Sequence, residues 1–322
     1  MEDPSQHWLQ SDLLGLLGAA ETGVGAQRDP EPELEPELEA GPLNGSASAA
    51  GDRSPAPLEP AHASAPVDLP RFGSRPEPAV QSGCPATLLI LDTETTDLSP
   101  SSGSCIEVGA ILFAVAQRTV LSQVSFLLPC DSNPAEAING IAAAATRLPQ
   151  PWQQALTCFN ALLEHCDAVL AHNAVFDRQW FGGDGPLPGI DKPWICSMED
   201  MRWPAERQLR PNPSVRDLAL SYGVPVWAAH RALTDCIYLA QVLERCDVLE
   251  ALLQGALEPR HLFRARLSYS ERHQAKQAGF RWNDPVQGAW TRRLSEQEAK
   301  ALPFPVQRIE STPDPLSLPA SA

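Results

Sequence analysis

No stretch of this 322-residue chain approaches the ~18 consecutive apolar residues that a membrane-spanning helix requires, so no membrane partner is expected. The first residues, MEDPSQ, are acidic where a secretory signal would be basic, and a cytoplasmic protein is expected. Its eight cysteines contain no C-x-x-C pair, which suits neither a zinc site nor a small disulfide scaffold. Scattered from Cys84 to Cys246, several of them fall inside apolar runs and read as small buried thiols in a reducing compartment. There is also no internal repeat.

The first 84 residues are poor in aromatic and β-branched side chains, and runs such as EPELEPELEAGP fill them with Pro, Ala, Ser and Glu. They hold 14 Asp+Glu against 4 Lys+Arg. Such a segment has too little apolar surface to offset its ordering entropy, so 1–84 is expected to be a disordered acidic arm. Removing its charge of −10 from the total of −16 leaves −6 for residues 85–322, and the acidity of the chain then argues little against nucleic-acid binding.

From residue 85 the pattern becomes α/β. TLLIL, CIEVGAILFAV and RTVLSQVSFLL are strand-length runs, the last two joined by a polar turn at Gln117 and Arg118, which suggests a mixed sheet with an antiparallel start. WQQALTCFNALLEHC sets Leu156, Phe159, Leu162 and Leu163 on one helical face. DAVLAHN and PWICSM read as further strands and NAVFDRQWF as a helix start. PSVRDLALSYG reads as a helix capped by Ser214 and stopped by Gly223, and HRALTDCIYLAQVLERC as one with Cys236, Leu239 and Leu243 along its apolar stripe. One α/β domain is expected over 85–256. Residues 257–309 read as a small α+β module: SERHQAKQAG as a Ser-started, Gly-stopped helix, FRWND and AWTRRL as a hairpin, SEQEAKAL as a helix with a Ser295/Glu298 capping box. Residues 310–322 read as a flexible tail.

Asp92 and Glu94 stand two apart at the end of the first strand, so their side chains point to one side. Two carboxylates that close repel unless a cation lies between them; an exposed acidic turn is the alternative. The context favours the cation. HNAVFD places Asp177 one helical turn from Asn173 after a buried strand, and HRALTD supplies His230 and Asp235 at the start of a helix. Four carboxylates and a histidine at the edges of core elements make a hard-cation site, and oxygen ligands without a His/Cys cluster favour two Mg²⁺ or Mn²⁺ ions over zinc. Such a pair clamps the attacking and leaving oxygens of a phosphoryl displacement, while a histidine of unperturbed pKa ~6.5 is suited to take the proton of an attacking water.

The three blocks LDTETTDL, HNAVFD and HRALTD, in this order over about residues 86–250, resemble the DEDDh exonucleases of the RNase H-like superfamily. That group includes the proofreading subunit of the bacterial replicative polymerase. The resemblance implies a mixed five-stranded sheet flanked by helices. It implies that Asp92, Glu94 and Asp235 hold one metal, that Asp92 bridges to a second supported by Asp177, and that His230 is the general base. A tyrosine branch of the superfamily carries Tyr four before the last Asp, where this chain has Arg231. The substrate-binding set it suggests is Thr93, Thr95, Asn173, Phe176 and Asn139, with Thr95 receiving the 3′-terminal nucleotide. Two positions depart from the family pattern: Asp97 replaces a usual glycine, and INGI, Ile138 to Ile141, replaces a His-Gly-Ile loop. Both bear on substrate fit.

Residues 260–309 carry ten Lys+Arg against four Asp+Glu, interleaved with Phe263, Tyr269, Phe280, Trp282 and Trp290. That is the composition of a single-strand-binding surface, in which charge follows phosphates and rings stack on bases. The alternative makes Phe280, Trp282 and Trp290 the module's own core, the reading favoured for the tryptophans. The spacing A-K-x-x-G-x-x-W resembles a small accessory module of other nucleic-acid-related proteins. Near the start of the chain HWLQSDLLGLL is a hydrophobic island, and QSDLL, with Gln10, Leu13 and Leu14, resembles the sliding-clamp-binding pentapeptide of bacterial replication proteins.

The expected function is therefore metal-dependent 3′–5′ exonuclease activity on single-stranded 3′ ends, of DNA first, releasing nucleoside 5′-monophosphates in proofreading in trans or in repair. A sliding clamp or a polymerase is the expected protein partner. An RNA-trimming enzyme of the same fold is the alternative substrate reading. A non-catalytic nucleic-acid-binding adaptor ranks lower, because all five site positions are filled.

Overall fold

The unbroken apolar run Leu88–Leu91 has no exposed surface on either side, as expected for a central strand covered on both faces. In the computed structural model, which describes residues 83–309 except residue 229, this run lies in β1 (Thr87–Thr95). The proposed arm up to residue 82, with Gln10, Leu13 and Leu14, and the tail 310–322 lie outside the described residues.

β2 (Cys105–Ala114) pairs antiparallel with β1, and β3 (Thr119–Leu127) antiparallel with β2. Arg118, at φ 51°, turns the chain between them. Two one-turn helices follow, α1 (Glu136–Asn139) and α2 (Ala143–Thr146), then α3 (Trp152–Glu164). β4 (Ala168–Ala171) adds parallel to β1 and β5 (Trp194–Cys196) parallel to β4, giving the order β3-β2-β1-β4-β5. This mixed five-stranded sheet has the RNase H-like form. Between β4 and β5 lies α4 (Ala174–Arg178), and after β5 come α5 (Val215–Ser221), α6 (Ala232–Glu244) and α7 (Leu249–Ala256). A Ser214–Asp217 capping box starts α5, and Gly223 ends it at φ 68°.

The period of two along β1 decides where its acidic residues go. Leu88 and Ile90 join the apolar cluster that includes Leu218, Leu239, Leu243 and Leu249, from α5, α6 and α7. Leu89 and Leu91 join the opposite cluster, with Phe159 and Leu162 of α3. Asp92 and Glu94 continue the first of these faces, the one α6 covers. Contact there is close: a Cβ added at Gly109 of β2 would stand 2.3 Å from the Leu233 nitrogen and 2.4 Å from the Ala232 carbonyl carbon. Only a residue without a side chain lets the first turn of α6 lie on the strand beside Asp92, its pairing partner.

The C-terminal residues form a second sheet, ordered β7-β8-β6-β9, from β6 (Arg260–Ala265), β7 (Arg281–Trp282), β8 (Trp290–Ser295) and β9 (Val306–Arg308). Helices α8 (Arg272–Gln277) and α9 (Glu296–Ala301) cover it over Phe263, Ala275, Phe280, Leu294 and Phe304. Two sequence expectations are corrected here. The helix of SERHQAKQAG is not started by Ser270: Ser268 forms the capping box with Glu271, through a 3-10 turn at Tyr269–Glu271. Trp282 is not core but 42% exposed, because β7 is the edge strand; Trp290 is partly buried.

A buried ion cluster joins this sheet to the segment after β5. Arg260, almost fully buried, donates to Glu298 (2.6 Å) and to the carbonyl oxygens of Asp200 and Gly255 (both 3.0 Å). Arg202 pairs with Glu298 at 2.7 Å and Arg281 with Glu199 at 2.6 Å.

Candidate active site

Three elements bring the carboxylates together: Asp92 and Glu94 from the end of β1, Asp177 from α4 and Asp235 from the first turn of α6. One carboxylate oxygen each of Asp92, Glu94 and Asp235 lies within 4.8 Å of the other two. Asp177 is held from β1, since the Thr93 backbone N–H (3.0 Å) and hydroxyl (2.8 Å) both donate to its Oδ1.

Burial dominates the electrostatics of this cluster. It pushes Asp92 well above the carboxylate range, with the charges of Asp177, Asp235 and Glu94 adding to the effect. Burial, then Asp235 and Glu107, pushes Glu94 up to about 8. Asp177 rises to about 7 through burial, against the opposing pull of the two Thr93 bonds. Asp235 rises to about 6, again by burial, opposed by the backbone N–H groups of Arg231 and His230. Four acids crowded in this way either hold protons or share a cation. The donor set is all oxygen, so it fits hard divalent ions.

His230 sits at the entry to α6 with φ 60°, and its backbone N–H donates to Asp235 Oδ2 at 3.1 Å. Partial burial lowers its imidazole pKa, which keeps the ring neutral near pH 7. Two residues that the sequence reading did not single out hold this stretch. Glu107, buried in β2 and paired across the sheet with Glu94, accepts three bonds from the Arg231 guanidinium (3.0 and 3.3 Å from Nε, 2.8 Å from Nη2) and one from the Ala232 N–H (3.0 Å). Tyr238 of α6 accepts the N–H groups of Trp227 (3.0 Å) and Ala228 (2.9 Å) and donates to the Ala228 carbonyl (2.6 Å). A lone Glu in the apolar strand CIEVGAILFA was the signal available for Glu107; nothing local marks Tyr238.

The five residues expected to contact substrate are distributed differently. Thr93 is spent on Asp177. The Thr95 hydroxyl donates to the Asp97 carbonyl (2.7 Å), and its own carbonyl accepts Asn139 Nδ2 (3.2 Å). Asn139 is buried and its Oδ1 accepts Asn133 Nδ2 (2.9 Å) and the Ile141 N–H (3.1 Å), so INGI is locked to β1. Asp97 turns its carboxylate onto the Leu98 N–H at 2.6 Å. Asn173 opens α4 in the left-handed region (φ 66°), and Phe176 stands edge-on to Trp180 with centroids 6.0 Å apart. His172 is a structural residue: burial lowers its pKa to about 4, and its Nδ1 lies 2.9 Å from the Ser197 hydroxyl.

A mixed sheet of this order has the RNase H-like form, and the buried acids that converge on it from β1, α4 and α6 could hold a divalent metal. Residues 89–243 match the family model described as Exonuclease, and residues 261–309 match one described as a domain of unknown function. The segment 89–243, a little under half of the chain, is thus an exonuclease domain by its family model, and its His230, five before Asp235, stands where the DEDDh pattern has its histidine. No curated protein matches the chain.

Among solved structures, the chain is similar to Exonuclease X in complex with 5′ overhanging duplex DNA, at 25% identity and a TM-score of 0.39, covering 52% of this chain and 97% of that one. It is similar to the nuclease domain of 3′hExo, a DEDDh family member, bound to rAMP, at 13% identity and a TM-score of 0.39 over 53% and 95% of the two chains. It is also similar to the zinc-bound exonuclease I of E. coli complexed with single-stranded DNA, at 16% identity and a TM-score of 0.39 over 60% and 50%.

Proposed function

We propose that the chain removes nucleoside 5′-monophosphates one at a time from single-stranded 3′ ends, of DNA in preference to RNA, using two Mg²⁺ or Mn²⁺ ions. The observation that carries this is the triad of carboxylate oxygens from Asp92, Glu94 and Asp235 within 4.8 Å, with Asp177 beside it. Asp92, Glu94 and Asp235 would hold one ion, and Asp92 with Asp177 the other. When bound, the ions neutralise the acids and stabilise charge on the phosphate under attack.

The chain's own groups then divide the work. His230, neutral because of its burial, accepts the proton of the attacking water. Thr93 holds Asp177 in its rotamer, and Glu107 anchors the residues that carry His230 and Asp235. Proofreading in trans or repair, in the cytoplasm, is the setting this activity fits, with a polymerase or a sliding clamp, the latter met by QSDLL, as partner.

The test is cleavage of a 5′-labelled single strand with and without Mg²⁺ or Mn²⁺. Wild type should shorten the label stepwise only with metal, and Asp92→Ala should reduce the rate by at least ~10³-fold. His230→Ala should keep metal binding but lower kcat by about 10²–10⁴-fold. Absence of metal-dependent cleavage on both a DNA and an RNA strand would sink the reading; faster cleavage of the RNA would transfer it to the exoribonuclease alternative.

A further inference from the structure

We propose that the sheet at residues 260–309 docks the single strand leading to the active site, with Trp282 and Trp290 as the platform on which bases stack. This rests on the preceding reading, that the chain acts on nucleic-acid 3′ ends.

The first observation is the segregation of charge. Residues 85–259 hold 20 Asp+Glu against 10 Lys+Arg, a net −10, whereas residues 260–309 hold four against ten, a net +6. A polyanion is repelled by the exonuclease domain as a whole, and the positive field that would retain it lies on the second sheet. Arg266, Arg272, Lys276 and Lys300 are exposed there.

The second observation is the placement of the rings. Trp282 pairs with Trp290 across β7 and β8, with centroids 5.6 Å apart and planes inclined by 51°. The core beneath, with Phe263, Phe280, Leu294 and Phe304, closes without Trp282, which keeps 42% of its surface in solvent. The hairpin that carries it is held at its turn. Asn283 donates its backbone N–H to the Ala289 carbonyl (2.9 Å), and its side-chain oxygen accepts the Gly288 N–H (2.7 Å). A ring fixed in this way loses little freedom on stacking, and every base offers it a π-face. Tyr269, 81% exposed with the Arg272 guanidinium 3.8 Å from its centroid, adds a ring-and-cation pair on the same sheet's helical side.

The third observation is where the sheet is tied. Arg281 pairs with Glu199, in the segment that leaves the C-terminal end of β5. β1, β4 and β5 are parallel, so that segment leaves the large sheet at the end where Asp92 and Glu94 stand. Alternation along β7 turns Trp282 away from the side on which Arg281 meets Glu199. The platform is thus anchored at the catalytic end of the sheet while its ring faces outward.

The experiment measures binding of 5′-fluorescein single strands of about 30 and about 4 nucleotides, lengths chosen around the ~4–16-nucleotide span of small single-strand-binding folds. Full-length wild type, Trp282→Ala and Trp282→Phe are compared by anisotropy in EDTA, where no cleavage takes place. Trp282→Ala should bind the long strand at least ~10-fold more weakly and the short strand, which does not reach the platform, as wild type does. Trp282→Phe, which keeps a ring, should recover most of the loss. Parallel oligo-dT and oligo-rU arms identify which nucleic acid is held. Wild-type affinity of Trp282→Ala for the long strand, in both arms, overturns the proposal. Long-strand binding that depends on Trp282 in a protein that cleaves nothing would support docking and defeat the exonuclease reading alone.

Discussion

The Tyr238 hydroxyl uses its full hydrogen-bonding capacity on the loop that leads to His230, accepting two N–H groups and donating to one carbonyl. Trp227, exposed on that loop, lays its ring edge-on to Tyr238 with centroids 4.9 Å apart. Tyr238→Phe keeps the ring contact and leaves three backbone groups without a partner, a loss of roughly 1–3 kcal/mol at each group that water does not reach. The loop should loosen while the carboxylates stay in place. We predict that kcat falls about tenfold, roughly 1.4 kcal/mol of barrier, with KM within about twofold of wild type; equal changes in both would indicate a general loss of structure. At this scale the acids of the site were legible in the sequence, because a spacing of two on a strand and of one helical turn fixes direction without tertiary knowledge. Glu107 and Tyr238 were not. The partner of Glu107, Arg231, is 124 residues away, and the bonds of Tyr238 exist only once α6 has returned to the sheet.

At the scale of elements, the approach of α6 to β2 through Gly109 sets the distance between Asp235 and the β1 acids. In Gly109→Ala the new methyl group meets backbone atoms of Ala232 and Leu233 at 2.3–2.4 Å, which no rotamer change relieves. The helix must move. We expect a destabilisation of about 1–3 kcal/mol, read by urea unfolding, and a loss of metal-dependent cleavage larger than the stability change explains. Measured on protein that remains folded, unchanged kcat would show that the helix start tolerates displacement. Apart from α1 and α2, the order of strands and helices up to α6 read directly from the sequence, since Leu88–Leu91 is an unbroken strand-length run and the stripe of α6 is long enough for its period to appear. The one-turn helices α1 and α2 and the three-residue β9 are shorter than any period they could display, and β6 carries Arg260 and Arg264 among its apolar residues. Trp282 was misread for a related reason: an edge strand of two residues gives no alternation by which to tell a core ring from an exposed one.

For the whole molecule, the raised acids link folding to pH and to metal. Their values in the metal-free protein, well above the usual range for Asp92 and about 8, 7 and 6 for Glu94, Asp177 and Asp235, exceed the value near 4 of the unfolded chain. Between about pH 4 and pH 8 the folded state therefore binds more protons than the unfolded one, and stability falls as pH rises through that window. Divalent ions bind the ionised acids and stabilise only the folded state, an effect that grows with pH as protons cease to compete. Thermal unfolding across this window should give a melting temperature that declines with pH in EDTA and a difference between Mn²⁺ and EDTA that widens with pH. Asp92→Asn combined with Glu94→Gln should flatten the EDTA curve and abolish most of the metal-dependent difference, because an amide neither titrates here nor attracts the ion. A metal effect that is independent of pH in the wild type would mean that the ions bind away from these acids, on a surface whose groups are already ionised.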